Sequence, residues 1–266
     1  MNTFTDSKYL RKQQYKTPEN LNKRASLHVR FGTNPIPWHR WVCDQFGDLD
    51  GARILDAGCG PAYLWAENTN WIPGTCSINL MDLSAGMLSA AKQSLVGTQL
   101  SFVQGNVEQI PLESNQFDLA LANHMLYHVP DIGLALKQIR RVLKPGGRFY
   151  AATNGFRNLI EVWEWVAQAL PSRADILASR DVILRFSLEN GEQLLSPYFS
   201  SVKLLRYPDS LEVNEAQPIV DFVESSKVQA HLSEDELSAY KEFLEQKLIA
   251  QKILKVSKDM GIFVAE

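Results

Sequence analysis

Short apolar runs ending in a polar residue alternate along this chain with longer stretches whose apolar positions recur every three or four residues. That alternation predicts parallel strands joined by helices. Ile54-Leu55-Asp56-Ala57 reads as a first buried strand, 77–82 as a second, 100–107 as a third with its loop, and 116–123 as a fourth. A fifth starts near Arg148-Phe149-Tyr150, and 202–207 and 261–265 supply a sixth and a seventh. Helices are predicted near 36–47, where Trp38, Trp41, Val42 and Phe46 fall at helical spacing, and over 61–69, 84–96, 132–143 and 158–170. Ser233-Glu234-Asp235-Glu236 has the pattern of a capping box and opens a long helix with Leu237, Tyr240, Leu244 and Leu248 on one face.

Two stretches break the rhythm. Residues 1–50 precede the first strand and are rich in basic and aromatic residues, and 155–200 do not fit strand–helix alternation. Within the latter, Leu159, Trp163, Val166, Ala167 and Leu170 form one helical stripe, while Trp165 lies off it and is expected to face solvent, a partner or a substrate. The chain is therefore expected to divide into an N-terminal helical segment (1–50), a ligand-binding core (51–154), a cap insertion (155–200) and a return to the core (201–266).

Chemistry concentrates after the first strand. Gly58 and Gly60 make a tight turn, with Pro61 expected at the first helical position. Such a turn is expected to present backbone N–H groups and a positive helix end to an anionic group. The spacing begins like G-x-G-x-x-G, but Tyr63 stands at the third glycine position. Asp56 would repel a pyrophosphate and suits a ligand with a cationic amine. Asp82 closes the second strand about 20 residues on, where doubly wound sheets place a ribose-binding carboxylate; its plainer role, or that of Ser84, is a helix N-cap.

Leu55-Asp56-Ala57-Gly58-Cys59-Gly60, Asp82 with Leu83 to Leu88, Gly105-Asn106-Val107 and Leu143-Lys144-Pro145-Gly146-Gly147 together resemble the motifs of the class I S-adenosylmethionine-dependent methyltransferases. The spacing is most similar to the group containing ubiquinone and menaquinone biosynthesis enzymes. The resemblance implies an α/β Rossmann-like seven-stranded, mostly parallel sheet of order 3-2-1-4-5-7-6, flanked by helices, with an N-terminal helical lid and a helical cap inserted after strand 5. It implies S-adenosyl-L-methionine as cofactor, held by Asp56, Ala57, Gly58 and Gly60 at the methionine end and by Asp82 at the ribose. Leu83 would pack on the adenine, Asn106 would accept from its amine, and the Val107 N–H would meet a ring nitrogen. Asn106 replaces the aspartate common in the family. Asn123 would touch the methionine part, and His128 would lie near the substrate, as a base or as a residue that shapes its turn. Tyr15, Arg24, His28 and Phe31 become candidates to close a lid, and Trp165 a substrate contact in the cap.

At 266 residues, with 45% hydrophobic and 21% charged residues, the chain is ordinary globular material. A net charge of -3 gives no general attraction to a phosphate backbone, so a small-molecule acceptor is expected and a nucleic acid is not. No apolar run reaches the ~18 residues of a membrane span, and the N-terminus lacks the apolar core of a signal peptide. Three cysteines without a C-x-x-C pair fit a cytoplasmic protein. His124 and His128 are four apart, but Met125 stands where a zinc helix would need Glu, so no metal is expected. The sequence leaves the oligomeric state open. The expected activity is methyl transfer to a small molecule by in-line displacement. The alternatives are a protein that binds S-adenosylmethionine without transferring its methyl and, further off, an NAD(P)-dependent oxidoreductase.

Overall fold

A computed structural model describes residues 18–95, 99–177, 185–226 and 232–266. Its strands are β1 (Arg53–Ala57), β2 (Ser77–Asp82), β3 (Gln99–Gln104), β4 (Phe117–Asn123), β5 (Leu143–Asn154), β6 (Val202–Tyr207), β7 (Ser210–Val213), β8 (Leu254–Ser257) and β9 (Met260–Ala265). Seven of them form one sheet in the order β3-β2-β1-β4-β5-β9-β6. β3, β2, β1, β4 and β5 pair in parallel, and β9 runs antiparallel between β5 and β6. The expected seventh strand is β9, so the topology is the expected one. Two four-residue strands, β7 and β8, pair separately as an antiparallel ribbon that the sequence reading missed.

The helices are α1 (Glu19–Phe31), α2 (Trp38–Asp44), α3 (Tyr63–Ala66), α4 (Ala85–Ser94), α5 (Ile132–Val142), α6 (Ile160–Ala169), α7 (Gly191–Leu195), α8 (Gln217–Ser225) and α9 (Glu234–Gln251). Alternate residues of β5 point to opposite faces of the sheet, as the period of two requires. Phe149 and Ala151 join Leu136, Ile139 and Val142 of α5 on one side; Tyr150 and Ala152 join Val42, Phe46, Trp65 and Ala91 on the other. The Lys144-Pro145-Gly146-Gly147 stretch loops out of the β4–β5 ladder, whose register steps from Phe117↔Leu143 to Leu119↔Arg148. Gly146 takes the positive φ of 75° this excursion needs.

A third apolar cluster lies apart from both faces. It joins Leu27 and Phe31 of α1, Val162, Trp163 and Trp165 of α6, Leu211 and Val213 of β7, Ile219 and Phe222 of α8, Tyr240 and Leu244 of α9, and Val256 of β8. Its members come from the N-terminal segment and from both sides of residue 200. Here Trp165 departs from expectation: it is only 8% exposed, with the Lys247 ammonium 5.9 Å from its ring. The helix α6 is covered by α9, by β8 and by the following turn (Pro171–Leu177), so a residue off its main stripe is still buried.

Candidate functional site

The carboxyl ends of β1, β2 and β4 meet at the glycine turn. Asp56 is 2% exposed, and its Oδ2 accepts from the Trp65 indole N–H at 2.8 Å, which seats α3 against the strand. Its Oδ1 is enclosed and has no hydrogen-bond partner. Burial pushes the Asp56 carboxyl up to about 7; the Trp65 hydrogen bond opposes this, and the Asp82 charge adds to it.

The turn differs from expectation in two ways. The N–H groups of Gly58 and Cys59 both donate to the Met81 carbonyl, at 2.7 and 3.0 Å, and the Gly60 N–H donates to Asp82 Oδ2 at 2.9 Å. The amides expected to be bare are thus spent on β2, where they fasten the turn to the neighbouring strand. The expected helix over 61–69 shrinks to the four residues of α3, because Ala62 is left-handed (φ 60°) and precedes its first turn in place of Pro61. So short a helix carries little dipole. A positive ligand end, rather than an anion cradle, is what Asp56 and this turn favour.

Asp82 bridges the turn to the next helix. Its Oδ1 accepts from the Ser84 N–H at 2.7 Å, while Oδ2 holds Gly60. Burial raises its pKa, and the N–H groups of Ser84, Gly60 and Leu83 pull it back. A carboxylate has about four lone-pair directions, so beyond these backbone N–H groups Asp82 keeps acceptor capacity for a ligand hydroxyl. The helix cap belongs to Ser84, whose hydroxyl accepts from the Met87 N–H. A Cβ on Gly60 would meet no atom within 4 Å, which leaves open space beside Asp82; a Cβ on Gly58 would sit 2.8 Å from Met125 Cγ.

Farther along the edge, Leu83 is half-buried and its carbonyl accepts from the Gln104 amide at 3.2 Å. Asn106 is exposed, and its Oδ1 accepts from the Glu108 N–H at 3.0 Å. Ala57 and Val107 bury their side chains in the sheet core, at 0% and 5% exposure. Asn123 ends β4 with an enclosed, unpartnered Oδ1. His128 sits in a 3-10 turn (Leu126–His128), its ring 4.6 Å from that of Tyr127 and its N–H donating to the Met125 carbonyl. Among the described residues no cluster of metal ligands occurs.

The lid candidates separate. Tyr15 lies outside the described residues. Phe31 is packed into the third cluster, which removes it from the site. Arg24 and His28 lie on α1, and His28 is within electrostatic reach of Lys258, His124, Asp209 and Arg24. The helix α1 is tied down by the Lys23–Glu224 and Arg30–Glu215 ion pairs, both 2.7 Å, and by the Tyr63 hydroxyl donating to Asn22 Oδ1 at 2.5 Å.

Sequence reasoning weighed His124 only as a metal ligand. In the structure it has φ 54°, its ring lies 5.2 Å from that of Trp38, and its Nε2 is enclosed and unpartnered. Burial lowers the pKa of His124 to about 3, helped by His39 and Lys258; burial lowers that of His28 to about 3 as well, helped by Lys258 and His124. Both rings are neutral imidazoles at physiological pH.

Residues 55–151 match the family described as the methyltransferase domain. The chain is 29% identical over 148 residues to the demethylmenaquinone methyltransferase of Staphylococcus aureus (strain MRSA252), covering 54% of this chain and 61% of that protein. It is 33% identical over 115 residues to the ubiquinone/menaquinone biosynthesis C-methyltransferase of Hahella chejuensis (strain KCTC 2396), covering 42% and 46%. The chain thus spans less than two thirds of the length of these curated relatives. Among solved structures, its fold is shared with phosphoethanolamine N-methyltransferase 2 of Haemonchus contortus in complex with S-adenosyl-L-methionine, with a TM-score of 0.58 and 18% identity over 98% of this chain and 59% of that one. The matched stretch covers the glycine turn, both strand-end carboxylates and the β4 edge, and it identifies residues 55–151 as a class I S-adenosylmethionine-dependent methyltransferase domain.

Proposed function

We propose that this chain transfers the methyl group of S-adenosylmethionine to a small-molecule acceptor by in-line displacement. The observation that carries the reading is Asp82: a carboxylate at the end of β2, oriented by backbone amides of Gly60 and Ser84, with acceptor capacity left for a ribose hydroxyl beside the open space at Gly60. The enclosed Oδ1 of Asp56 fits the cofactor's amine, a buried acceptor answered by a cation. Leu83 and Asn106 fit the adenine, and the N–H of Val107 joins them; Asn123 fits the methionine part.

The bound cofactor supplies a methyl on a sulfonium, already a strong electrophile. The protein's part is therefore to hold and align the reactants, which supplies ~7–11 kcal/mol with no dedicated acid or base. His128 lies at the same edge and is the candidate proton acceptor. A small molecule is favoured by the net charge of -3 and by the quinone-related names of the relatives. Cys43, Cys59 and Cys76 are free thiols, which suits the reducing cytoplasm. Among the described residues no helix is long and apolar enough to cross a membrane.

Calorimetric titration with S-adenosylmethionine, S-adenosylhomocysteine and NAD tests the reading. The two adenosyl compounds should bind and NAD should not. Asp82→Asn, which keeps one acceptor oxygen, should weaken both by at least tenfold, about 1.4 kcal/mol. Labelled methyl should then appear in small molecules of a cell extract. Unchanged affinity in Asp82→Asn, or binding without any transfer, would sink it.

A further inference from the structure

On the face of the sheet that α5 covers, an open cleft of about 520 Å³ lies between the first turn of α5 and the helix α7. That volume falls within the roughly 300–1,000 Å³ of small-molecule pockets. Ile132, Leu136 and Leu194 give it an apolar wall; Arg185, Gln193 and Tyr198 give it a polar side. None of the residues assigned to the cofactor lines it.

Arg185 is what calls for a ligand here. Its Nη2 donates to the carbonyls of Val129 and Pro130, at 2.6 and 2.9 Å, and its Nε is enclosed and makes no hydrogen bond. Among the described residues it forms no ion pair, and no carboxylate lines the cleft. Asp131, beside Ile132 in the chain, has its Oδ1 on the Leu134 N–H as the cap of α5. Two carbonyl dipoles leave the net charge of a guanidinium in place, and a charge partly withdrawn from water is costly until an opposite charge meets it. Tyr198 adds a second donor. Its hydroxyl lies over the first turn of α5, where a Cβ on Gly133 would meet it at 2.9 Å, so the glycine leaves it room.

We propose that this cleft binds a small organic anion, its carboxylate or phosphate head on Arg185 and Tyr198 and its apolar body along Ile132, Leu136 and Leu194. An oxyanion accepts from both donors, and its hydrogen bonds to a guanidinium are charge-assisted. A cation is repelled by Arg185, and an inorganic anion leaves the apolar wall exposed to water. The site is separate from the cofactor residues and does not depend on the methyltransferase reading. Arg185 nevertheless joins the two, because Val129 and Pro130 directly follow the turn that carries His128.

Hexanoate, hexyl phosphate, 1-hexanol and hexylammonium share one alkyl chain and differ in the head group. Each is titrated calorimetrically into the full chain. At least one of the two anions should bind roughly tenfold tighter than the alcohol and the ammonium, and the tighter of the two identifies the head. Arg185→Gln, whose amide still donates to a carbonyl, should weaken that anion by roughly tenfold. Gln193 is exposed on α7, so Gln193→Glu keeps the shape and the fold while adding a negative charge to the cleft. It should weaken the same anion by roughly threefold and leave 1-hexanol unchanged. The inference is overturned if no probe binds, if the alcohol or the ammonium binds as tightly as the anions, or if Gln193→Glu and a folded Arg185→Gln both hold the anion normally. Should Arg185→Gln fail to fold, Gln193→Glu alone decides.

Discussion

Asp56 and Asp82 end adjacent parallel strands, yet their surroundings divide the work between them. Asp82 has both oxygens on backbone N–H groups, whereas Asp56 has one on an indole and one on nothing. The result is a carboxyl with a native pKa of about 7 against an ordinary value of 3.8. The native state therefore holds a proton that the unfolded chain has lost, and Asp56's contribution to stability is complete below about pH 4 and disappears as pH rises to about 7. His28 and His124 act in the opposite sense: their native pKa values near 3 make stability fall as pH drops from 6.5 toward 3. Asp56→Asn isolates the first effect, since the amide oxygen still accepts from Trp65. In chemical denaturation, the unaltered protein should lose roughly 4 kcal/mol relative to Asp56→Asn between pH 4 and pH 7. If the cofactor's amine sits at Oδ1, its binding also expels that proton, so affinity should rise with pH and level off above about 7. Calorimetry in two buffers of different ionisation enthalpy reads the proton release; binding with no proton release at pH 6 would remove Asp56 from the amine.

The glycine turn is the element on which this edge is built, and its two glycines do different things despite sharing a positive φ, 77° and 56°. At Gly58 a methyl would drive into the stem of Met125, so Gly58→Ala should cost about 1–3 kcal/mol and displace His124 with it. At Gly60 a methyl meets no protein atom, so Gly60→Ala should cost only about 1–2 kcal/mol of backbone strain. It should nevertheless lose S-adenosylmethionine affinity by tenfold or more, because the methyl enters the space beside Asp82. Normal binding by a folded Gly60→Ala would place the ligand elsewhere. The place of the turn, the seven strands and the capping box, in which Ser233 and Glu236 exchange hydrogen bonds, were legible, because each is written in neighbouring residues; that the turn's amides are spent on β2 was not. The elements that were not legible depend on distant partners. The ribbon of β7 and β8 has strands too short for periodicity, α3 is cut short by Ala62, and Trp165 is buried because α6 is enclosed on several sides. The packing of His124 against Trp38 stayed hidden for the same reason, since nothing near it in sequence announces Trp38.

At the scale of the whole molecule, Asp209 ties together three segments that lie far apart in the chain. Its Oδ1 accepts from the N–H groups of Thr33 and Asn34, both at 2.8 Å, and its Oδ2 pairs with Lys258. The segment after α1, the link from β6 to β7 and the link from β8 to β9 therefore meet at one buried ion pair, with side chains 3% and 2% exposed. Tyr207 closes the knot: the Lys258 ammonium lies 5.1 Å from its ring, and its hydroxyl donates to the Ile36 carbonyl at 2.6 Å, just ahead of Trp38. The aromatic wall facing His124 is thereby fixed to the sheet through β6. Removing one member of such a pair strands the other charge in a low-dielectric site, which costs more than the pair contributes. Lys258→Met should lower the unfolding free energy by about 3–5 kcal/mol. The double change Lys258→Met with Asp209→Asn should recover part of that loss, because the asparagine oxygen still accepts from Thr33 and Asn34 but carries no charge. Urea denaturation of the two variants beside the unaltered protein measures both quantities. A Lys258→Met protein within 1 kcal/mol of the original, a threshold of roughly one exposed ion pair, would show that Asp209 is held by its backbone donors alone and that the three segments meet without needing the charge.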